Sequence, residues 1–195
     1  MKSLSLKSTS ALALALIAGG VVATATPVSA DQTTGTVEFT AGNLEFGDGT
    51  GQTVPSFDFG IRDITTQTRT YTASGAGILN VTDLRGTSVG WKVTVAQKDQ
   101  LKTANNDELT GASLALDAGT VTNTNNEVPT NAAVTLVPGG VASAVLTAEA
   151  GKGNGTSTLT WGADNAKLTV PGSTTQKSGI KYTATLEWTL NDTPA

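Results

Sequence analysis

Asp83 and Arg85 stand two residues apart in Val81-Thr82-Asp83-Leu84-Arg85-Gly86. On a strand or tight turn that spacing sets both side chains on one face. There the guanidinium pairs with its neighbour as a structural ion pair, or takes an outside carboxylate through two parallel hydrogen bonds. Trp91 with Val93, and Trp188 with Leu190, repeat the spacing. An indole so placed is either core or an aromatic platform for a glycan or a protein partner. Hydrolysis of a glycan would need two placed carboxylates. Glu38, Glu45, Asp58, Asp63, Asp83 and Glu187 are available, but no spacing singles out a pair among the 16 acids. The sequence has no histidine and no cysteine. That excludes a Ser-His-Asp triad, imidazole or thiolate metal sites, cysteine nucleophiles and disulfides. The acidic loops at Asp48 and Asp107-Glu108 lack the D-x-D-x-D-G calcium pattern. Gly47-Asp48-Gly49-Thr50-Gly51 lacks the lysine and helix of a phosphate loop. The expectation is a non-catalytic protein with no cofactor and no metal.

Strands must position these residues. The chain of 195 residues carries 35 threonines and 22 glycines, with only 14% charged residues. Threonine suits half-buried strands and glycine supplies turns. Alternation is clearest in 182–190, where Tyr182, Ala184, Leu186, Trp188 and Leu190 share a face. It repeats in 89–97, with Val89, Trp91, Val93 and Val95 together. Shorter strands are expected at 35–40, 56–60, 69–73, 78–82, 113–116, 132–137, 142–148, 157–161 and 167–170, divided by Gly, Pro, Asn and Asp clusters. Segment 98–111 has only Leu101 and Leu109 as large apolar residues and reads as an ordered loop, as does 123–127. The expected fold is all-β: a single antiparallel β-sandwich or Greek-key barrel-like domain with long loops.

Residues 1–30 read as a secretory signal peptide. Lys2 and Lys7 precede an apolar run from Ala11 to Val22, and Val28-Ser29-Ala30 places small residues before Asp31, so cleavage is expected between Ala30 and Asp31. A membrane anchor would need about 20 apolar residues, and Thr24, Thr26 and Pro27 interrupt the run too early. The domain is then 31–195, with ten basic and 16 acidic residues and a net charge of -6. No basic footprint for nucleic acid exists. The C-terminal residues carry no hydrophobic tail, basic stop or LPxTG signal, so attachment without a covalent or membrane anchor is expected.

The mature chain resembles the WxL-domain surface proteins of Gram-positive bacteria, small type. The resemblance rests on Leu44-Glu45-Phe46-Gly47, Phe57-Asp58-Phe59-Gly60, Val81-Thr82-Asp83-Leu84-Arg85-Gly86, Gly90-Trp91-Lys92-Val93 and the closing Tyr182 to Leu190 run. The second Trp-x-Leu motif, Trp188-Thr189-Leu190, is intact; the first reads Trp91-Lys92-Val93, with Val for Leu. The resemblance implies an extracellular, wall-associated protein held non-covalently on peptidoglycan or another wall polymer, together with a membrane-anchored surface protein of the same complex. A charge of -6 disfavours long-range attraction to anionic wall polymers. Binding is therefore expected at short range, with Trp91, Val93, Trp188, Leu190, Asp83 and Arg85 as candidate contacts. The alternative is a secreted adhesin for a host ligand, matrix or glycan; a wall hydrolase is a third, weaker reading.

Overall fold

Alternation of apolar and polar residues becomes alternation of burial. In β10 (Gly155–Trp161) Ser157, Leu159 and Trp161 are buried while Thr156, Thr158 and Thr160 are half-buried. In β4 (Trp91–Gln97) Trp91, Val93 and Val95 are buried, with Lys92 and Thr94 half-buried between them. The computed structural model describes residues 32–49, 51 and 54–192. The chain divides into two compact units, Met1–Glu38 and Phe39–Ala195. Of the first, residues 32–38 are described; they are exposed and form no strand. The expected signal peptide, with its cut between Ala30 and Asp31, lies outside the described residues.

The second unit is all-β, its described residues forming twelve strands, numbered along the chain and grouped into three antiparallel four-stranded sheets. The first sheet runs, in spatial order, β1 (Leu44–Phe46), β3 (Gly77–Asp83), β10 and β6 (Thr120–Asn123). The second runs β2 (Arg69–Thr72), β11 (Ala166–Val170), β5 (Ser113–Leu116) and β8 (Val134–Leu136). The third runs β12 (Leu186–Asn191), β4, β9 (Ser143–Ala148) and β7 (Thr130–Asn131). The expected all-β, antiparallel fold is formed, and no sheet closes into a barrel: each keeps two edge strands.

All three sheets feed one core. Leu79, Val81, Leu159 and Trp161 enter from the first, Leu114, Leu116, Leu136 and Ala166 from the second, and Trp91, Val93, Val95, Val145, Leu146 and Ala148 from the third. Burial of a Leu or Val contributes about 1.5–3 kcal/mol each, and this is what holds a domain without disulfides. A bulge between Val93 and Thr94 in the β4–β9 pairing skips Val145. It lets the adjacent Val145 and Leu146 both reach full burial. A second, smaller core gathers Leu101, Leu109, Ala112, Leu168 and Val170, with Tyr182 and Ala184 packed on it.

The structure departs from the expected strands where tertiary partners intervene. Segment 182–190 divides: β12 begins only at Leu186, while Thr183 exchanges hydrogen bonds with Lys102 in the 98–111 loop and its neighbours Tyr182 and Ala184 cover the second core. Segment 56–60 keeps its alternation but forms no strand. Phe57 and Phe59 are half-buried against the core, and Ser74 N–H bonds the Asp58 carbonyl at 2.6 Å. Segment 35–40 is not a strand either, and Val37 and Phe39 are 77% and 87% exposed. β1 and β6 were not expected as strands, since each is short and β6 carries Val121 alone as an apolar residue.

Candidate binding clefts beside the tryptophan strands

β4 and β12 are antiparallel hydrogen-bonded neighbours, with Val93 opposite Leu190 and Val95 opposite Trp188. The two Trp-x-aliphatic motifs, far apart in sequence, thus lie side by side on one sheet face. Trp91 is fully buried, and its indole N–H donates to the Gly153 carbonyl at 3.2 Å. Gly153 makes room for the indole, and Gly90 for the backbone at the end of β9. A Cβ on Gly153 (φ +78°) would lie 2.6 Å from Trp91 Nε1, and one on Gly90 (φ +85°) would lie 2.2 Å from the Ala148 carbonyl oxygen. Trp188 is half-buried. Its ring packs on Trp161 at 5.9 Å between centroids, tilted 53°, and Phe57 meets Trp161 edge-on at 6.0 Å. The Trp161 indole N–H donates to the Asp117 carbonyl at 2.9 Å.

Arg85 ties the two motifs together from outside. Its Nε and Nη2 donate to the two Asp83 carboxylate oxygens at 2.9 and 2.8 Å. Nη2 also donates to the carbonyl of Gly90, just before Trp91, and Nη1 to the carbonyl of Asp192, just after β12. The Asp83 side chain is 1% exposed and that of Arg85 18%. Burial pushes the Asp83 carboxyl up, but the Arg85 hydrogen bonds and charge outweigh it and hold it below its ordinary value. The Asp83 hydrogen bond raises the Arg85 guanidinium, which stays charged throughout.

Two shallow clefts open beside this clasp. The first, of about 580 Å³, is polar and is lined by Asp83, Ser88, Asn125, Glu127, Asn154 and Thr156 among others. Its side chains hold one another: Asn154 donates to Glu127 and to Ser88 Oγ. The second, of about 570 Å³, lies between the edge strands β1 and β12. Leu44, Phe46, Trp188 and Leu190 are half-buried there, with Glu45 and Asp192 exposed at the rim.

Of the six sequence candidates, Asp83 borders the polar cleft, and Trp188 and Leu190 line the apolar one. Trp91 and Val93 have no exposed surface. A ligand on the folded domain therefore cannot touch them, because the strand's apolar face is turned into the core. Arg85 spends its donors on Asp83, Gly90 and Asp192. Sequence reasoning missed Trp161 as the partner of Trp188, although it closes an alternating strand. It also missed Asn125, Glu127 and Asn154, which carried no signal beyond a polar turn. Among the described residues no cluster of three or more acidic side chains is placed to hold a metal ion, and no helix is long and apolar enough to cross a membrane.

The domain is all-β, with open clefts bordered by sheet edges and fixed polar groups. The family model described as "WxL domain surface cell wall-binding" matches residues 26–194. The chain belongs to the WxL-domain family, whose members are surface proteins that bind the cell wall. No curated protein and no solved structure matches the chain.

Proposed function

We propose that this is a non-catalytic, secreted protein of a Gram-positive envelope, held non-covalently on the wall by peptidoglycan, by a membrane-anchored surface partner, or by both. The observation that carries the reading is the pair of open clefts beside the Arg85 clasp, one lined mainly by polar side chains and one in which Leu44, Phe46, Trp188 and Leu190 alternate with polar residues. The polar cleft suits a wall polymer: Ser88, Glu127 and Asn154 offer donors and acceptors already oriented by their mutual bonds. Hydrogen bonds of this kind act at short range, which suits a mature chain, 31–195, of net charge -6 on an anionic wall. The apolar cleft suits a protein. Trp188 is packed on Trp161 rather than standing free as a sugar platform, and consecutive residues of β1 and β12 line the opening, so backbone edges face it.

The test is sedimentation of the purified protein with protein-free sacculi and, in parallel, with whole stripped envelopes. Binding to sacculi that falls in Asn154→Ala, and extra binding to envelopes that falls in Trp188→Ala, is the expected result. Loss of sacculus turbidity on incubation would make the protein a hydrolase, and no affinity for either preparation would end the wall reading.

A further inference from the structure

The apolar cleft has the form of a seat for an extended strand. It is lined by Leu44, Glu45 and Phe46 in succession on one side and by Trp188 to Asp192 in succession on the other. A sheet face would contribute alternate residues; an unbroken run is the signature of a strand edge. Among the described residues β1 pairs with β3 alone and β12 with β4 alone, so both edges bordering the cleft are free. Free edges above an apolar floor are a template for another strand.

The same chain carries a strand with nowhere to go. Thr36-Val37-Glu38-Phe39-Thr40 alternates polar and apolar residues, yet forms no strand and exposes Val37 by 77% and Phe39 by 87%. The sequence does not build a tight hairpin from this segment back onto β1. Gly42 N–H bonds the Leu84 carbonyl at 2.8 Å and Leu84 N–H bonds the Asn43 carbonyl at 2.9 Å. The chain therefore enters β1 already paired with residue 84. A reversal would fall on Thr40-Ala41, and two-residue hairpin turns require Gly, Asn or Asp there.

The geometry points to a second copy of this chain as the occupant: the 36–40 segment of one molecule adds as an antiparallel strand to the free edge of β12 in another. This deepens the reading of the apolar cleft as a protein seat and rests on it. The register follows from the side chains. With Glu38 opposite Thr189, Phe39 stands opposite Trp188 and Val37 opposite Leu190, so both exposed apolar residues meet the cleft floor. Thr36 and Thr40 then stand opposite Asn191 and Glu187, and no like charges face each other. Such a donor–acceptor contact is heterologous, giving either a reciprocal dimer or an open chain of copies. On a cell surface it would convert singly weak wall contacts into a multivalent array.

The experiment uses the purified protein and light scattering across a concentration series. The expected result is a mass that rises with concentration above that of one copy. Val37→Asp with Phe39→Asp together should weaken association at least tenfold while the circular dichroism spectrum and melting temperature stay unchanged, because both side chains are exposed in the single molecule. The absence of native cysteine allows a second readout. Glu38→Cys and Thr189→Cys in one chain should oxidise to covalent oligomers. A protein that remains a single copy up to its solubility limit overturns the inference, as does a disulfide formed only within one chain. If envelope binding depends on Trp188 while self-association is absent, the cleft is a seat for a different protein. The reading of its class then survives and the second copy does not.

Discussion

Arg85→Ala tests the clasp most directly. The side chain makes two bonds to a carboxylate that is 1% exposed and two more to the Gly90 and Asp192 carbonyls. Removing it strands the Asp83 charge in the interior and frees both ends of the paired motif strands. Breaking a buried pair from one side costs about 3–5 kcal/mol. For a chain of this size each kcal/mol moves Tm by about 2–4 °C, so a fall of about 6–12 °C is expected at the lower cost. The Asp83→Ala, Arg85→Ala double variant should recover part of the loss, since no buried charge remains. A coupling of about 1–3 kcal/mol is expected for groups in one network. Lys98→Ala is the control: its bond to Glu187 joins side chains 52% and 55% exposed, and such pairs contribute about 0–1 kcal/mol. The assay is thermal and urea unfolding by circular dichroism of five proteins, the wild type, Arg85→Ala, Asp83→Ala, their double variant and Lys98→Ala, beside sedimentation with envelopes. An Arg85→Ala protein as stable as Lys98→Ala but unable to bind envelopes would refute the clasp and place Arg85 at the ligand.

The remaining predictions follow from the same geometry. Asp83 has a folded pKa held below the ordinary value of about 3.9, so its stabilisation is present above that value and lost as pH falls through the folded pKa. Urea stability should be flat from about pH 7 to 5 and decline below about pH 4. The decline should be shallower in Asp83→Asn. Asp107, held low by its hydrogen bond to Lys177 in an exposed pair, adds a loss of the same sign. High salt should weaken the Asp107 part and leave the buried part. Gly153→Ala should destabilise by about 1–3 kcal/mol through overpacking on Trp91 and a left-handed backbone, visible as a changed near-ultraviolet tryptophan signal. Trp188→Ala should cost about 2 kcal/mol, less than a fully buried Trp, and lower envelope binding by more than it lowers Tm-corrected folded fraction. Equal losses in the two would leave Trp188 a packing residue alone.

Much of the fold was legible because alternation is a local property. The strands around 69–73, 78–82, 113–116, 142–148, 157–161 and 167–170 appear within a residue or two of their expected bounds. Segments 35–40 and 56–60 show the limit: they have the pattern and not the strand, because a strand also needs an unpaired edge within reach. The site was legible as residue types and not as roles. Trp91 and Trp188 have the same motif and the same strand period, yet one is sealed beneath Gly153 while the other lines a cleft. That difference comes from β4 lying inside its sheet and β12 at the edge.

From the sequence alone came the all-β class, the faces of the strands, the exclusion of histidine and cysteine chemistry, and the family, since each depends on residue identity and short spacing. Only the tertiary structure decided that the two tryptophan strands pair with each other, that Arg85 bonds the Asp192 carbonyl across the fold, and that a cleft opens between β1 and β12. Strand period records which side of a sheet a residue faces. It carries nothing about which distant strand supplies the neighbouring hydrogen bonds, and that choice belongs to the packing of the whole core.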